Sequence, residues 1–296
     1  MTGLIVKAIS GFYYVKTGDN VIECKARGKF RNSGTFPLVG DIVNIEINNN
    51  NKGTVVNLCE RKNFLQRPTV ANVDKLFIIS SSSTPAPNFL IIDRLTALCE
   101  HKGIEPIIVF NKSDIEPLTH FADVYNIVGY KTIICSAKNN SGVDKIIDEL
   151  YDCVSVFTGN SGVGKSSILN ALFPELELAT SNVSEKLGRG KHTTRYVELY
   201  AHKYNGYVAD TPGFSSLESD IGSIDFKNNL VNCFPEFINY SKCCRFKDCK
   251  HIGESGCAVL DAVNNHDLPV ERYNSYTTIF NELRDLKAWN FKKAER

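Results

Sequence analysis

The strongest constraint on the fold of this chain is a glycine-rich stretch, GNSGVGKS, at residues 159–166. It matches the pattern G-x-x-x-x-G-K-[ST] and lies between an apolar, strand-like run, CVSVF, and a run of helical character, SILNALF. A strand, a glycine loop and a helix in this order direct successive backbone N–H groups and a helix N-terminus towards a phosphate group. The alternative, a glycine-rich turn that binds nothing, is disfavoured by this position between strand and helix.

The polar residues of this predicted phosphate loop each have an expected role. Its glycines permit positive φ angles and let a ligand approach the backbone closely. Lys165 is predicted to reach the β- and γ-phosphates of a nucleotide, and the Ser166 hydroxyl to ligate Mg²⁺. The predicted nucleotide-binding residues of the loop are Gly159, Asn160, Ser161, Gly162, Val163, Gly164, Lys165, Ser166 and Ser167.

A second stretch, NKSD at residues 111–114, predicts which base is bound. The Asp114 carboxylate can accept hydrogen bonds from N1–H and the exocyclic amino group of guanine, whereas adenine offers no matching pair of donors. A site built on such bonds rejects the wrong base because its buried acceptor would be left unpaired. The stretch CSAK ends the next strand and is predicted to donate a backbone N–H to the guanine oxygen. The predicted base-binding residues are Asn111, Lys112, Asp114, Ser136, Ala137 and Lys138.

The third stretch, DTPG at residues 210–213, completes a guanine-nucleotide site and fixes its topology. Asp210 is predicted to support the Mg²⁺ ion, and the Gly213 N–H to meet the γ-phosphate. In an ordinary GTPase domain the phosphate loop precedes the base-reading stretch, but here the order is reversed. Since the termini of a compact domain commonly lie close together, the order predicts a circularly permuted GTPase core with its site residues in place.

The chain divides into three predicted domains. Residues 1–67 alternate with a period near two between Gly and Asn clusters, which predicts a small closed β-barrel of the oligonucleotide-binding or the SH3-like type. Residues 68–222 alternate apolar strands with amphipathic helices, which predicts a doubly wound α/β sheet. Residues 223–296 are predicted to be mainly helical around a cysteine-rich knot. An apolar stripe in this last domain is predicted to pack against the core: Tyr273, Tyr276, Phe280, Leu283 and Leu286.

Charge is distributed unevenly along the chain, although the net charge is only +1. Residues 1–67 hold ten Lys and Arg against five acidic residues, which predicts a polyanionic partner for the barrel, with a solvated face as the alternative. No apolar run approaches the roughly 18 residues of a membrane span, and the N-terminus lacks the pattern of a secretory signal. We therefore expect a cytoplasmic protein with no membrane partner. We also expect a monomer.

Four of the ten cysteines cluster in the stretch CCRFKDCKHIGESGC at residues 243–257. The spacing gives a Cys₃His set, Cys244, Cys249, His251 and Cys257, in which Cys243 is the alternative to Cys244. Three thiolates and an imidazole satisfy tetrahedral Zn²⁺ and leave no open position, which indicates a structural site. The alternative is a group of buried free thiols.

Together these motifs resemble one family, the ribosome small-subunit-dependent GTPase A (RsgA/YjeQ) proteins. The resemblance covers essentially the whole chain and includes NKSD, SAK, TGNSGVGKSSILNAL, DTPGF, GRGKHTTR at residues 188–195 and the Cys/His knot. It implies an N-terminal oligonucleotide-binding barrel, a permuted GTPase domain and a C-terminal domain with one structural zinc ion, for which it favours Cys244. It also implies GTP hydrolysis stimulated by the 30S ribosomal subunit during late maturation, with 16S rRNA as the partner.

The sequence lacks the residue that usually positions the attacking water in small GTPases. Many small GTPases place a glutamine shortly after the DxxG glycine, but here Phe214 follows Gly213. We expect His192 to position the water once a partner orders its loop, with an ordinary solvated histidine as the alternative. Thr194 is the predicted Mg²⁺ ligand, with Thr193 as the alternative. Slow hydrolysis is therefore expected of the isolated protein.

Two other functions fit parts of the sequence. One is an RNA-binding assembly factor that uses GTP only as a conformational ligand. The other is an ATP-using kinase or ATPase, which the guanine-reading stretches disfavour.

Overall fold

The structure is a computed structural model of the 296-residue chain. It describes residues 1–28, 30, 35–48, 52–82, 85–174, 197–209, 217, 221 and 223–284. Among these residues no helix combines the length and the apolarity that crossing a membrane requires.

The N-terminal domain is a closed barrel of five strands. The strands are β1 (Thr2–Ile9), β2 (Phe12–Thr17), β3 (Asn20–Ala26), β4 (Ile42–Ile47) and β5 (Gly53–Leu58). They are ordered β1-β2-β3-β5-β4, and β1 pairs with β4 to close the barrel. All pairs are antiparallel except β3 with β5. The prediction of an oligonucleotide-binding type of barrel is thereby confirmed.

The alternation of the sequence explains the interior of this barrel. Ile5, Val15 and Val55 are completely buried, as period-two patterning requires of residues that face inwards. Ser10 and Gly11 both have positive φ angles, 49° and 83°, between the paired residues Ile9 and Phe12. This two-residue turn matches the right-handed twist of its flanking strands.

A short hairpin connects the barrel to the central domain. Its strands are β6 (Phe64–Gln66) and β7 (Thr69–Ala71), so the predicted domain boundary at residues 67 and 68 lies in its turn. A Cβ atom on Gly40 would lie 2.1 Å from the carbonyl oxygen of Ala71, and the Asn72 side-chain amide donates to the Gly40 carbonyl at 2.9 Å. The hairpin is therefore packed directly on the barrel.

The central domain is a six-stranded sheet with helices on both faces. Its strands are β8 (Lys75–Ser81), β9 (Glu105–Asn111), β10 (Lys131–Ile134), β11 (Val154–Gly159), β12 (Leu199–His202) and β13 (Gly206–Ala209). Its helices are α1 (Phe89–Lys102), α2 (Thr119–Ile127), α3 (Val143–Asp148) and α4 (Lys165–Leu172). Among the described strands of this sheet, only the edge strand β12 runs antiparallel to its neighbour. Buried apolar residues fill both faces of the sheet, which confirms the doubly wound prediction.

The strand order records the permutation. The order is β10-β9-β8-β11-β13-β12, so the chain starts in the middle at β8, moves outwards to β10, and returns to insert β11 beside β8. The direction of winding reverses between β8 and β11. In open α/β sheets, ligands bind at such a reversal, outside the carboxyl ends of the strands.

The C-terminal domain is mainly helical and packs on α1. It contains α5 (Ile224–Asn229), two 3₁₀ turns (Leu230–Cys233 and Pro235–Phe237), α6 (Ile238–Ser241), α7 (Ala258–Asn264) and α8 (Val270–Arg284). The buried residues of α8 are Arg272, Ser275, Tyr276, Ile279 and Leu283.

The predicted apolar stripe on α8 is therefore only partly right. Tyr276 and Leu283 are buried, but Tyr273 and Phe280 are half-buried, and Leu286 lies outside the described residues. The buried face of α8 is rotated relative to the predicted stripe, and it includes Arg272. Apolar periodicity does not predict the burial of a charged residue.

Candidate nucleotide site and candidate metal centre

The predicted base-reading and phosphate loops meet at one edge of the sheet. Asn111 is the last residue of β9 and Gly159 is the last residue of β11, and β8 lies between these strands. The registers pair Ser81 with Asn111 and Ile79 with Gly159. Because these strands are parallel, the loops that follow them leave the sheet side by side, at the reversal between β8 and β11.

Asn111 joins three of the predicted loops with one side chain. Its amide nitrogen donates to the carbonyl oxygen of Val163 in the phosphate loop at 3.0 Å, and its amide oxygen accepts from the N–H of Ala137 at 3.0 Å. The residue is only 2% exposed. Stretches 52 and 26 positions away along the chain are thus held together by an amide that is buried with its donor and acceptor both satisfied.

The phosphate loop requires glycine at two positions for steric reasons. A Cβ atom on Gly164 would lie 2.3 Å from the Asn111 amide nitrogen, and one on Gly159 would lie 2.7 Å from the Ile79 carbonyl oxygen. Gly164 also has a φ of 91° and precedes the first residue of α4, Lys165. Lys165 and Ser166 therefore lie in the first turn of a helix, at its positive end. The loop and the helix N-terminus together form a site that fits the phosphates of a nucleotide.

The Asp114 carboxylate is held in place by the CSAK loop. The Ser136 hydroxyl donates to Asp114 Oδ1 at 2.7 Å and accepts from the Asn139 N–H at 3.2 Å. The Lys138 ammonium lies 3.9 Å from Asp114 Oδ2. The hydrogen bond from Ser136, with the nearby charges of Lys138 and Lys112, lowers the pKa of Asp114 below its ordinary value. The group is therefore an ionised acceptor at neutral pH, as reading guanine requires.

Several predicted site residues lie outside the described residues. They are His192, Thr194 with its alternative Thr193, Asp210 and Gly213. The predicted roles of these residues in Mg²⁺ binding, γ-phosphate contact and water positioning remain predictions.

The structure brings the predicted Cys₃His set together. One ligand atom from each of Cys244, Cys249, His251 and Cys257 lies within 4.8 Å of all the others. His251 Nδ1 is 3.4 Å from the Cys257 sulfur and 3.7 Å from the Cys244 sulfur. Zn–N and Zn–S bonds of ordinary length at tetrahedral angles give N···S edges of about 3.5 Å. The donor set and its dimensions fit Zn²⁺.

The surroundings of the cluster favour a metal over a group of buried thiols. Cys244 and Cys249 are only partly buried, so they do not behave as simple core residues. Burial lowers the pKa of His251, which keeps its imidazole in the neutral form that ligates metals. The other ring nitrogen, Nε2, lies 3.0 Å from the Ser241 hydroxyl, which orients the ring. Cys243 is exposed and is not part of the cluster.

A buried charge network joins the C-terminal domain to the central domain. The guanidinium of Arg272 on α8 donates to Asp93 at 2.8 Å and Thr96 at 2.9 Å, both on α1. It also donates to Glu236 at 2.7 Å, and the ring of Phe234 lies 4.6 Å from it. Arg272 and Asp93 are completely buried. We call this network of Arg272, Asp93, Thr96 and Glu236 the interdomain joint. The sequence did not predict it, since neither spacing nor charge pattern distinguishes a buried arginine from a solvated one.

Comparisons with known proteins agree with this architecture. The model of the RsgA GTPase family matches residues 58–220, and that of the RsgA N-terminal domain matches residues 2–55. A relative in Caldanaerobacter subterraneus subsp. tengcongensis, called small ribosomal subunit biogenesis GTPase RsgA, is 42% identical over 293 residues, which are 98% of each chain. A relative of the same name in Geobacillus sp. (strain WCH70) is 43% identical and covers 96% of this chain and 98% of its own.

Two solved structures are similar over nearly the whole chain. One is YloQ, described as a circularly permuted GTPase, with a TM-score of 0.80 and 37% identity over 97% of this chain and 96% of its own. The other is YjeQ from Thermotoga maritima, with a TM-score of 0.82 and 33% identity over 97% of this chain and 99% of its own.

Proposed function

The chain belongs to the RsgA GTPase family and is a GTP hydrolase, and from that premise we propose that it acts on the 30S ribosomal subunit late in its maturation. In this proposal the 30S subunit binds the GTP form and stimulates hydrolysis to GDP and phosphate. The protein works as a monomer in the cytoplasm, where its substrate is assembled. The names of the relatives, which assign them to small ribosomal subunit biogenesis, support this role.

The observation that supports the nucleotide site best is the position of Asn111. Its two hydrogen bonds tie the loop of the base reader Asp114 to the phosphate loop and to the CSAK loop. We assign guanine to Asp114, with Lys112 over the face of the base and the backbone of Ala137 near the guanine oxygen. A nucleotide bound in this way places its phosphates at the N-terminus of α4, where the N–H groups of the loop stabilise negative charge.

Hydrolysis needs four further side chains. Lys165 contacts the β- and γ-phosphates and stabilises the charge that develops during transfer. Ser166 and Thr194 hold Mg²⁺, which, when bound, neutralises charge on the phosphate oxygens. His192 positions the attacking water after the 30S subunit has ordered its loop. Because that step depends on the partner, the isolated protein turns over slowly.

The barrel is the proposed 16S rRNA-binding module. Five of the eight basic side chains described in residues 1–67 form ion pairs with carboxylates: Lys7, Arg27, Lys52, Arg61 and Lys62. This pairing leaves less free positive charge than the composition suggests. Lys25 is exposed and lies 4.9 Å from the ring of Phe12, an arrangement that can meet both a phosphate and a base.

The metal centre has a structural role in this proposal. Cys244, Cys249, His251 and Cys257 would hold one Zn²⁺ in a closed shell that leaves no position for a substrate. When bound, the ion would fix the turns between α6 and α7, where its four ligands take the place of an apolar core.

A turnover assay tests the proposed function. GTP hydrolysis is measured for the protein alone, with 30S subunits and with 50S subunits as the control. We expect 30S subunits to raise the rate and 50S subunits to leave it unchanged, and His192→Ala to lose the stimulation while it still binds GDP. Equal rates in all three conditions would contradict the stimulation, and full stimulation of His192→Ala would remove that residue from the mechanism.

A binding assay tests the switch. The protein is loaded with GDP or with a nonhydrolysable GTP analogue and sedimented with 30S subunits. We expect the triphosphate form to bind more tightly, and equal binding of the two forms would exclude a nucleotide-dependent switch.

A further inference from the structure

Lys112, which the proposed function places over the base, has an unusual backbone conformation. Its φ angle is 66°, in the left-handed region that non-glycine residues seldom adopt. Such a conformation is maintained only when surrounding groups hold it in place. The groups that bond to the backbone around Lys112 therefore decide where its side chain begins.

Ser82 supplies two of those bonds. Its hydroxyl donates to the carbonyl oxygen of Lys112 at 2.9 Å, and its N–H donates to the carbonyl oxygen of Asn111 at 3.2 Å. Ser82 is 4% exposed and directly follows β8, the strand between β9 and β11. The Ile115 N–H also donates to the Lys112 carbonyl at 3.0 Å. The carbonyl of Lys112 is thus fixed from two sides, once by its own loop and once by the neighbouring strand.

We propose that Ser82 is a positioning residue for guanine-nucleotide binding, acting through the backbone of Lys112. By holding Lys112 in its left-handed conformation, the Ser82 hydroxyl directs the lysine stem across the face of the base. This inference rests on the proposed nucleotide site and adds a residue that directly follows β8, a strand that carries none of the predicted nucleotide-binding motifs. The proposal also predicts two separate roles. Asp114 recognises the hydrogen-bonding edge of the base, whereas Ser82 acts through Lys112 on the contact with the ring face of the base.

This separation of edge recognition from the ring-face contact gives a specific test. Inosine lacks the 2-amino group that Asp114 accepts from, but it presents the same ring face to Lys112. Ser82→Ala should therefore weaken GDP and IDP binding by the same factor, about tenfold for the loss of one buried hydrogen bond, and mainly by faster dissociation. Asp114→Ala should instead reduce the preference for GDP over IDP.

Ser81→Ala is the matched control. The Ser81 hydroxyl donates at the same distance, 2.9 Å, but to the carbonyl of Pro85, within the loop that follows β8. Ser81→Ala should lower the melting temperature to a similar extent and leave the Kd values of GDP and IDP near those of the unchanged protein.

Lys112→Gly provides a second test, because a general destabilisation by Ser82→Ala would persist in this background, whereas an effect through the Lys112 side chain would not. Glycine adopts a positive φ without support and has no stem to direct. Ser82→Ala should therefore have little further effect on GDP affinity in a Lys112→Gly background. The inference is overturned if Ser82→Ala binds GDP as Ser81→Ala does, or if it weakens GDP binding equally with and without the Lys112 side chain. If the unchanged protein binds neither GDP nor IDP, the proposed nucleotide site itself has failed.

Discussion

The base-reading loops and the Cys/His cluster both bring side chains together from short loops, but they hold those side chains in different ways. In the base-reading loops, Asn111, Ser136 and Ser82 form hydrogen bonds to protein groups. In the cluster, His251 Nδ1 has the sulfur atoms of Cys244 and Cys257 as its neighbours. The hydrogen bonds of the first arrangement form between protein groups, whereas the proposed Zn²⁺ would complete the second.

This difference indicates what each ligand does. A nucleotide can enter and leave a site whose polar groups are already satisfied, so binding and release can cycle without unfolding. A metal that replaces an apolar core contributes directly to folding, and its loss removes the structure around it. The two regions are joined through the buried pair of Arg272 and Asp93, which connects α8 to α1.

Metal removal should give the largest effect. Stripping the metal with a chelator should unfold the C-terminal domain first, since apparent binding free energies of about 10–16 kcal/mol are typical of zinc in small domains. The measurements are the zinc content, the helical circular dichroism signal and the melting temperature. As a control, removal of the nucleotide should leave the helical signal unchanged. Cys249→Ser should lose the zinc and Cys243→Ser should keep one ion per chain. Unchanged helicity in metal-free protein would remove the contrast.

Arg272→Met should destabilise the joint between the domains. The substitution leaves Asp93 and Glu236 buried without their partner, which should cost about 3–5 kcal/mol in the free energy of unfolding by urea. Arg94→Met is the matched control, because Arg94 also pairs with a carboxylate, that of Glu282, which is half exposed. The control should cost about 1 kcal/mol or less. Similar losses for the two variants would show that the buried joint is no stronger than a surface ion pair.

Asn111→Ala should weaken GDP binding through the loops rather than through the ligand. Val163 and Ala137 each lose a buried partner, and the expected loss is about 1–3 kcal/mol of binding free energy by calorimetry. Asn139→Ala is the control, because the side chain of Asn139 is exposed and only its backbone N–H bonds to Ser136. If the control loses as much affinity as Asn111→Ala, the loops are not preorganised by Asn111.

The dependence of GDP affinity on pH should show the smallest effect. The hydrogen bond from Ser136 lowers the pKa of Asp114, so GDP affinity is fully present at neutral pH and is lost as the pH falls through that lowered pKa. Ser136→Ala should return the pKa towards its ordinary value near 3.9, and the loss of affinity should begin at a higher pH. The Kd for GDP is measured from about pH 7 down to about pH 3 for both proteins, so that the window crosses the ordinary pKa near 3.9. A loss that begins at the same pH in both would contradict the assignment.

The sequence predicted those parts of the fold and site that are encoded in local patterns. The glycines of the phosphate loop, the period-two strands of the barrel and the permuted order of the motifs each constrain the nearby backbone, and the predicted architecture was confirmed. The family resemblance was confirmed as well.

Features that depend on contacts between distant elements were not predictable. Ser82 reaches Lys112 only because β8 and β9 pair in one particular register. Arg272 is buried because carboxylates from α1 and a 3₁₀ turn converge on it, which no periodicity reveals. The boundary at residues 67 and 68 stays a prediction, and the hairpin that spans it also packs on the barrel.

The most direct measurement of the proposed nucleotide site is the affinity of Asp114→Asn and of the unchanged protein for GDP, XDP and ADP. The unchanged protein should bind GDP far more tightly than XDP or ADP, because the ionised Asp114 carboxylate only accepts hydrogen bonds. Asp114→Asn should lose GDP affinity by about a thousandfold or more and gain affinity for XDP, whose 2-carbonyl accepts from the new amide. GDP affinity that is unchanged in Asp114→Asn, or ADP that competes equally with GDP, would contradict a guanine site at the carboxyl edge of this sheet.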